Sequence, residues 1–258
     1  MRFLSFDLPL KALNLYPLGD WHHGSRQTFP RFIKQEIDKI AADPEARWCS
    51  MGDLIENAIV GSKSDVYLST SNPEKQIEDV VALLKPIRDK GLFMIPGNHS
   101  ARTMRVAGID PDKVIADLLD LPYARYSILA SFGLSKVKSR AVCYFHHSRG
   151  GGSTPGGKVN AASKLRLIVP SADAVFCGHS HTTNREPLTW FDAGLTGLVR
   201  RQGYNYIIGS ALTWKESYAE EKGMRPAAVE QIMVRFEVKS RHAHYKYLKQ
   251  TYNIIQPE

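Results

Sequence analysis

No run of apolar residues in the 258-residue sequence approaches the roughly 20 that a membrane-spanning helix needs, so no membrane segment is expected. Cysteine is scarce. Cys49, Cys143 and Cys177 each sit inside an apolar, strand-like run with no paired spacing, which excludes a thiolate zinc site or a disulfide framework. Buried, reduced thiols in a cytoplasmic protein are the expectation. The glycine-rich stretch from Gly150 to Gly157 lacks a Gly-Lys-Ser/Thr ending, which excludes a nucleotide P-loop. Between Met1 and Leu15 an early Arg2 is followed by Asp7 and Pro9, with no small-residue cleavage site, so no secretory leader is expected. There is also no internal repeat and no composition break. Residues 1–258 are therefore expected to form a single domain, strand-rich from about residue 188.

What is present is an ordinary globular composition, 43% hydrophobic and 23% charged, with a formal net charge of +8. The excess of Lys and Arg favours polyanionic partners, because neutralising phosphates releases counterions. Along the chain one phrase recurs: an apolar run of strand length, a polar cluster at its end, then an amphipathic helix. That alternation predicts an α/β fold with ligands beyond the carboxyl ends of the strands.

Strands are expected over Leu13–Leu18, Trp48–Met51, Leu92–Ile95, Tyr126–Ala130, Ala141–Phe145 and Ala174–Cys177, with helices near 29–42, from Pro73, at 111–119 and at 160–168. Leu188–Phe191, Tyr204–Ile208, Gln231–Val238 and His242–Leu248 read as further strands. The last two form an expected hairpin turning at Lys239-Ser240-Arg241.

Five of the strand ends carry, in order, Asp20-x-His22, Gly52-Asp53, Gly97-Asn98-His99, the doublet His146-His147, and Gly178-His179-x-His181. Any one of these is most simply a turn or a hydrogen-bonded side chain; the ordered set behind five strand-like runs is not. Mixed oxygen and imidazole donors suit Mn²⁺ first, with Fe, Zn²⁺ or Ni²⁺ as alternatives, better than Mg²⁺ or Ca²⁺. Seven donors exceed what one tetrahedral ion needs, which predicts two divalent cations sharing a carboxylate.

In these motifs, which span roughly Leu13 to His181, the sequence resembles the calcineurin-like metallophosphoesterase superfamily. The resemblance implies a two-sheet sandwich of mixed strands flanked by helices. It places Asp20, His22 and His181 on one metal, Asn98, His146 and His179 on the other, and Asp53 between them. His147 takes the place of His146 if the strand runs one residue longer. His99 matches the family histidine that stabilises the transition state or protonates the leaving group. Ser100 departs from the Asp or Glu that many relatives have there; its hydroxyl could accept the His99 N–H but would not stabilise imidazolium charge as a carboxylate does. The implied chemistry is phosphate-ester hydrolysis by a hydroxide bridging the two metals.

Around this set, Arg102 and Arg149 are candidate phosphate clamps, with Arg105 on the Arg102 face if that segment is helical, and solvated arginines as the plainer reading. His23 is expected to face cleft or solvent. The Gly150–Gly157 loop reads as a border of the substrate cleft or an ordinary surface loop. His242 and His244 alternate on one strand face without a carboxylate nearby. The Lys239, Arg241, Lys246 and Lys249 cluster, interleaved with Tyr245, Tyr247 and Tyr252, reads as a charged edge hairpin or a nucleic-acid track. The expected activity is a phosphodiesterase acting on DNA, RNA or a nucleotide. The alternatives are a phosphomonoesterase of the Ser/Thr protein phosphatase kind and a non-catalytic, metal-containing nucleic-acid-binding module.

Overall fold

The computed structural model describes residues 1–258 except 63, 65, 136–139, 149, 151, 153, 215–217, 222, 224, 243 and 244. In chain order the elements are β1 (Arg2–Leu8), β2 (Ala12–Leu18), α1 (Pro30–Ala42), β3 (Ala46–Ser50), α2 (Pro73–Leu84), β4 (Gly91–Met94), α3 (Ser100–Ala107), α4 (Pro111–Leu118), β5 (Ser127–Leu134), β6 (Arg140–His146), α5 (Pro155–Arg166), β7 (Ala174–Cys177), β8 (Asn184–Gly194), β9 (Gly197–Ile207), β10 (Gln231–His242) and β11 (Tyr245–Ile255). They form a six-stranded sheet in the order β1-β5-β6-β7-β9-β8 and a five-stranded sheet in the order β11-β10-β2-β3-β4.

Alternation along the strands builds the layers. In β2, Leu13 and Leu15 face the other sheet while Tyr16 and Leu18 face helices; in β3, Cys49 faces the other sheet and Trp48 the helices. Leu13, Leu15, Phe93, Phe132, Phe145, Phe176 and Phe236 fill the space between the sheets, where the Phe93 ring of β4 meets the Phe145 ring of β6 edge to face at 4.9 Å. Outside the five-stranded sheet, Phe32, Ile33 and Ile40 of α1, Val80 and Leu84 of α2 and Ile115 of α4 pack on Trp48. Outside the six-stranded sheet, Ala162 and Leu165 of α5 cover Tyr144, Val175 and Ile207. The result is the sandwich of two mixed sheets between helices that the resemblance implies.

Local chemistry explains where the helices start. Pro30, Pro73, Pro111 and Pro155 each open one, where a missing N–H costs nothing. Asn72, Asp110 and Thr154 cap α2, α4 and α5 by accepting the N–H of Lys75, Lys113 and Gly157. Thr154 thereby starts α5 inside the glycine-rich stretch, five residues before the expected Asn160. The C-terminal hairpin also extends further than expected. Lys239 and Ser240 pair with Tyr247 and Lys246 in the ladder, so the strand runs on through the expected turn at 239–241. Strand β1 was not anticipated. It pairs in parallel with β5 across more than a hundred residues of sequence. The three cysteines are buried and unpaired, and among the described residues no helix is long and apolar enough to cross a membrane.

One buried acid makes stability depend on pH. Glu36 of α1 is fully enclosed; Trp21 Nε1–H donates to its Oε2 at 3.3 Å, and its Oε1 has no partner. Burial pushes its carboxyl up to about 8. Between the ordinary carboxyl range and that value the unfolded chain has lost the proton and the folded chain keeps it, so stability falls as pH rises through this window, by about 1.4 kcal/mol per pH unit. Glu36→Gln is expected to melt close to the parent at pH 5 and several degrees above it at pH 8. Parallel thermal melts at the two pH values check this.

Candidate metal centre

The loops that leave β2, β3, β4, β6 and β7 converge at one edge of the sandwich. Asp20, His22, Asp53, His179 and His181 all reverse the chain there with positive φ between 48° and 70°, a backbone region that costs energy for residues with a Cβ. Such strain, concentrated on the polar side chains themselves, is what turns them back towards a common point. Two glycines are required by the same crowding. Gly52 has φ +87°, and a Cβ on it would collide with the backbone of Gly97, while a Cβ on Gly97 would collide with the Asp53 carboxylate.

Three groups of side chains each bring ligand atoms within 4.8 Å of one another: Asp20, His22 and His181; His22, Asp53 and His99; and Asp53, His147 and His179. Asp53 belongs to two of them, as a carboxylate between two cations would. Asn98 joins the last group, its Oδ1 lying 3.0 Å from His147 Nε2. Asp20 Oδ2 accepts the His179 N–H at 2.9 Å and Asp53 Oδ1 accepts the His99 N–H at 2.8 Å. The other oxygens, Asp20 Oδ1 and Asp53 Oδ2, are buried and accept no hydrogen bond. Instead they face imidazole nitrogens: Asp20 Oδ1 is 3.4 Å from His181 Nε2, and Asp53 Oδ2 is 3.0 Å from His147 Nε2 but off its hydrogen-bonding direction. Isolated buried carboxylate oxygens are costly, and a cation is the partner that fits a shell of carboxylates and imidazoles.

The tautomers agree. His22 Nδ1 lies 3.1 Å from Glu56 Oε2 and His147 Nδ1 2.7 Å from the Met51 carbonyl, so each ring carries its proton on Nδ1 and turns the Nε2 lone pair inwards. His22 Nε2 and His181 Nε2 approach to 3.1 Å, a convergence suited to a shared ion. The electrostatics point the same way. Burial alone would raise both carboxyls, but His181 and His147 around Asp20, and His147 and His99 around Asp53, hold them below the usual carboxylate range. Against the opposing effect of burial, Asp53 pulls His147 up to about 9, a demand for positive charge that a cation would meet in place of a proton.

The structure brings His147, and not His146, into the ligand groups. Ala141, Cys143 and Phe145 face the inter-sheet core and Tyr144 the outer layer, so the alternation sends His146 outwards and His147 inwards. His146 Nδ1 accepts the Ser148 N–H at 2.7 Å, and His146 is in none of the ligand groups. Ser100 also differs. Its hydroxyl donates to Asp112 Oδ2 of α4 at 2.6 Å, alongside the Gly97 N–H at 3.1 Å, and so braces the loop without touching the His99 ring. The His99 Nδ1–H donates instead to the Glu56 carbonyl at 2.7 Å, and its Nε2 accepts from Arg102 Nη2 at 2.8 Å. Burial holds His99 down to about 4, neutral at ordinary pH.

The segment after His99 is helical, and Arg102 is in place beside the cluster, whereas Arg105 is exposed on α3. Arg149 lies outside the described residues, as does His244. His23 is half-buried, its Nε2 lying 3.2 Å from Asp79 Oδ2 on α2. Of the C-terminal basic cluster, Lys239 pairs with Glu237 at 3.0 Å and Tyr252 lies under the Arg185 guanidinium at 5.0 Å, which leaves both with structural partners.

Set against known folds, the two sheets and the helices outside them align with the structure of a putative 5′-nucleotidase from Staphylococcus aureus. The alignment covers 95% of this chain and 54% of that one, with a TM-score of 0.51 at 10% identity. The chain has the metallophosphoesterase fold. It thus spans about half the length of that protein. A calcineurin-like phosphoesterase, YfkN from Bacillus subtilis, aligns over 95% of this chain and 90% of its own at TM-score 0.48 and 10% identity. Vps29 from Chaetomium thermophilum aligns over 96% and 100% at TM-score 0.38 and 10% identity. The sequence matches no family model and no curated protein. On this fold the clusters of Asp and His could hold metal ions at the carboxyl ends of the strands.

Glu56 escaped the sequence reading although it stands three residues after Asp53. It is nearly buried, and although burial opposes ionisation, its hydrogen bond with His22 lowers its carboxyl to about 2. It also lies 3.5 Å from Arg102. Glu56→Gln is expected to weaken metal binding about 10- to 100-fold, the usual loss when the partner orienting a metal-binding histidine is removed. Competitive metal titration at fixed pH checks it.

Proposed function

We propose that the chain is a metal-dependent phosphodiesterase acting on nucleic acid or nucleotides. Asp20, His22 and His181 hold one divalent cation, Asn98, His147 and His179 the second, and Asp53 lies between them. The observation that carries this reading is the pair of buried, hydrogen-bond-free oxygens, Asp20 Oδ1 and Asp53 Oδ2, facing imidazole nitrogens at a strand-end cleft. Two bound cations, Mn²⁺ first among the candidates, supply an activated water for attack on phosphorus and neutralise charge on the phosphoryl oxygens.

The chain's own groups do the rest. Arg102 is anchored on the Glu56 carbonyl at 2.9 Å and contacts His99, which fixes a guanidinium at the rim where a non-bridging phosphate oxygen would lie. As arranged, His99 has its proton on Nδ1, committed to a backbone carbonyl, and an Nε2 that accepts. It orients Arg102, and the leaving oxygen takes its proton from water. The charge of +8 favours a polyanionic ester over a phosphoprotein.

The direct test offers the Mn²⁺-loaded protein bis(p-nitrophenyl) phosphate, p-nitrophenyl phosphate, single- and double-stranded DNA, RNA and cyclic nucleotides. Turnover of diesters at a higher kcat/KM than the monoester is expected. Hydrolysis confined to p-nitrophenyl phosphate would make the protein a phosphomonoesterase.

A further inference from the structure

Helix α5 leads from the end of β6 back to the start of β7, and those strands are parallel, so its first turn stands at the edge of the sandwich where the metal cluster lies. Thr154 fixes that turn by accepting the Gly157 N–H at 3.2 Å. Further along, Ala162 and Leu165 pack on the six-stranded sheet, and Lys158, one turn before Ala162, shares their side of the helix. At that level the sheet has ended and the loop after β7 takes its place. Lys158 Nζ donates to Thr182 Oγ1 at 2.5 Å, one residue beyond His181, and the same hydroxyl donates to the Ser180 carbonyl at 3.3 Å. This uses one of the three ammonium protons. Among the described residues Lys158 has no other polar partner and pairs with no carboxylate. It is half-buried, and burial alone pushes its ammonium down from the ordinary lysine range. A partly desolvated cation with no acid beside it is a cost to the fold that one hydroxyl does not offset, and an anion in the cleft would.

We infer that Lys158 binds a second phosphate of the substrate, beside the one held at the metals, which deepens the phosphodiesterase reading and rests on it. Arg102 reaches the cluster through His99, and Lys158 through the segment of His181. The His22 ring touches both histidines, its centroid 4.3 Å from that of His99 and 4.9 Å from that of His181. An ester with one phosphate meets Arg102 alone. One with two, a polynucleotide strand or a nucleoside diphosphate, meets Lys158 as well, and an ammonium suits that second group as a point charge with no planar fork to align.

Binding reads this without turnover. The Mn²⁺-loaded protein is titrated calorimetrically with adenosine monophosphate, adenosine diphosphate and a 5′-phosphorylated dinucleotide with a non-hydrolysable link. Lys158→Gln keeps a donor for Thr182 and removes the charge; it is expected to weaken a two-phosphate probe by about tenfold and adenosine monophosphate by less than about twofold, while Lys158→Arg restores the difference. The two-phosphate probe with the larger loss is the source that Lys158 serves. An equal loss for adenosine monophosphate would make Lys158 a brace for the His181 loop, and unchanged affinity for both two-phosphate probes would make it a surface cation; either result overturns the inference. Bis(p-nitrophenyl) phosphate, with its single phosphate, is expected to be hydrolysed by Lys158→Gln within about twofold of the parent. A parent that binds the probes as expected but hydrolyses no diester keeps the second-phosphate contact and loses the phosphodiesterase reading.

Discussion

Asp53→Asn is expected to leave at most one divalent ion per chain and to lower diester hydrolysis by about 10³-fold or more, because charge neutralisation around the phosphoryl group is commonly the largest single contribution to such catalysis. The substitution is a narrow one. Asparagine keeps the acceptor for the His99 N–H at Oδ1 and the shape that Gly97 is required to accommodate. What disappears is the charge on an oxygen that no hydrogen bond satisfies. Without cations, His147 and its neighbours balance that charge and hold the carboxyl low, so the metal-free variant is expected to be less stable than the metal-free parent at neutral pH while remaining folded. Elemental analysis after dialysis, kcat on bis(p-nitrophenyl) phosphate and a thermal melt in chelator together separate loss of the ion from loss of the fold. Two ions per chain with turnover within tenfold of the parent would show that Asp53 does not serve both.

The neighbouring histidines give the second large effect, and it is an asymmetric one. His147→Asn removes a ring nitrogen 3.0 Å from both Asp53 Oδ2 and Asn98 Oδ1, and is expected to cost one ion and about 10²- to 10³-fold in kcat. His146→Asn is expected to keep two ions per chain, because its ring belongs to none of the ligand groups. Metal stoichiometry of the two variants side by side decides between them; the reverse pattern would return the ligand role to His146.

That pair also shows how far the sequence could be read. The motifs at five strand ends announced which residues would meet, because each stands directly behind an apolar run and the fold brings those ends to one edge. The doublet was read as His146, with His147 only if the strand ran one residue longer, yet the parity of Ala141, Cys143 and Phe145 against Tyr144 was already written in β6 and points to His147. Glu56 was legible too, three residues past Asp53 and one turn of chain from its metal neighbours. The Ser100–Asp112 bond was not, since nothing local ties an acid on α4 to a serine on α3. Strand β1 alternates Leu4, Phe6 and Leu8 with Phe3, Ser5 and Asp7, but its partner β5 is too distant in sequence for a local pattern to announce. The α5 boundary was missed for a related reason: glycines read as loop, whereas the Thr154 cap and Pro155 were enough to start a helix through them.

The side chains that could hold cations come from both halves of the sandwich, Asp20 and Asp53, with Asn98 beside them, from one sheet and His147, His179 and His181 from the other. The spacing between those halves is set by the aromatic filling, where Phe93 of one sheet abuts Phe145 of the other. The interior therefore works as a spacer gauge. Trimming or thickening a ring buried well away from the cleft would change the bite of the site, and the ions in turn would rivet the two halves together.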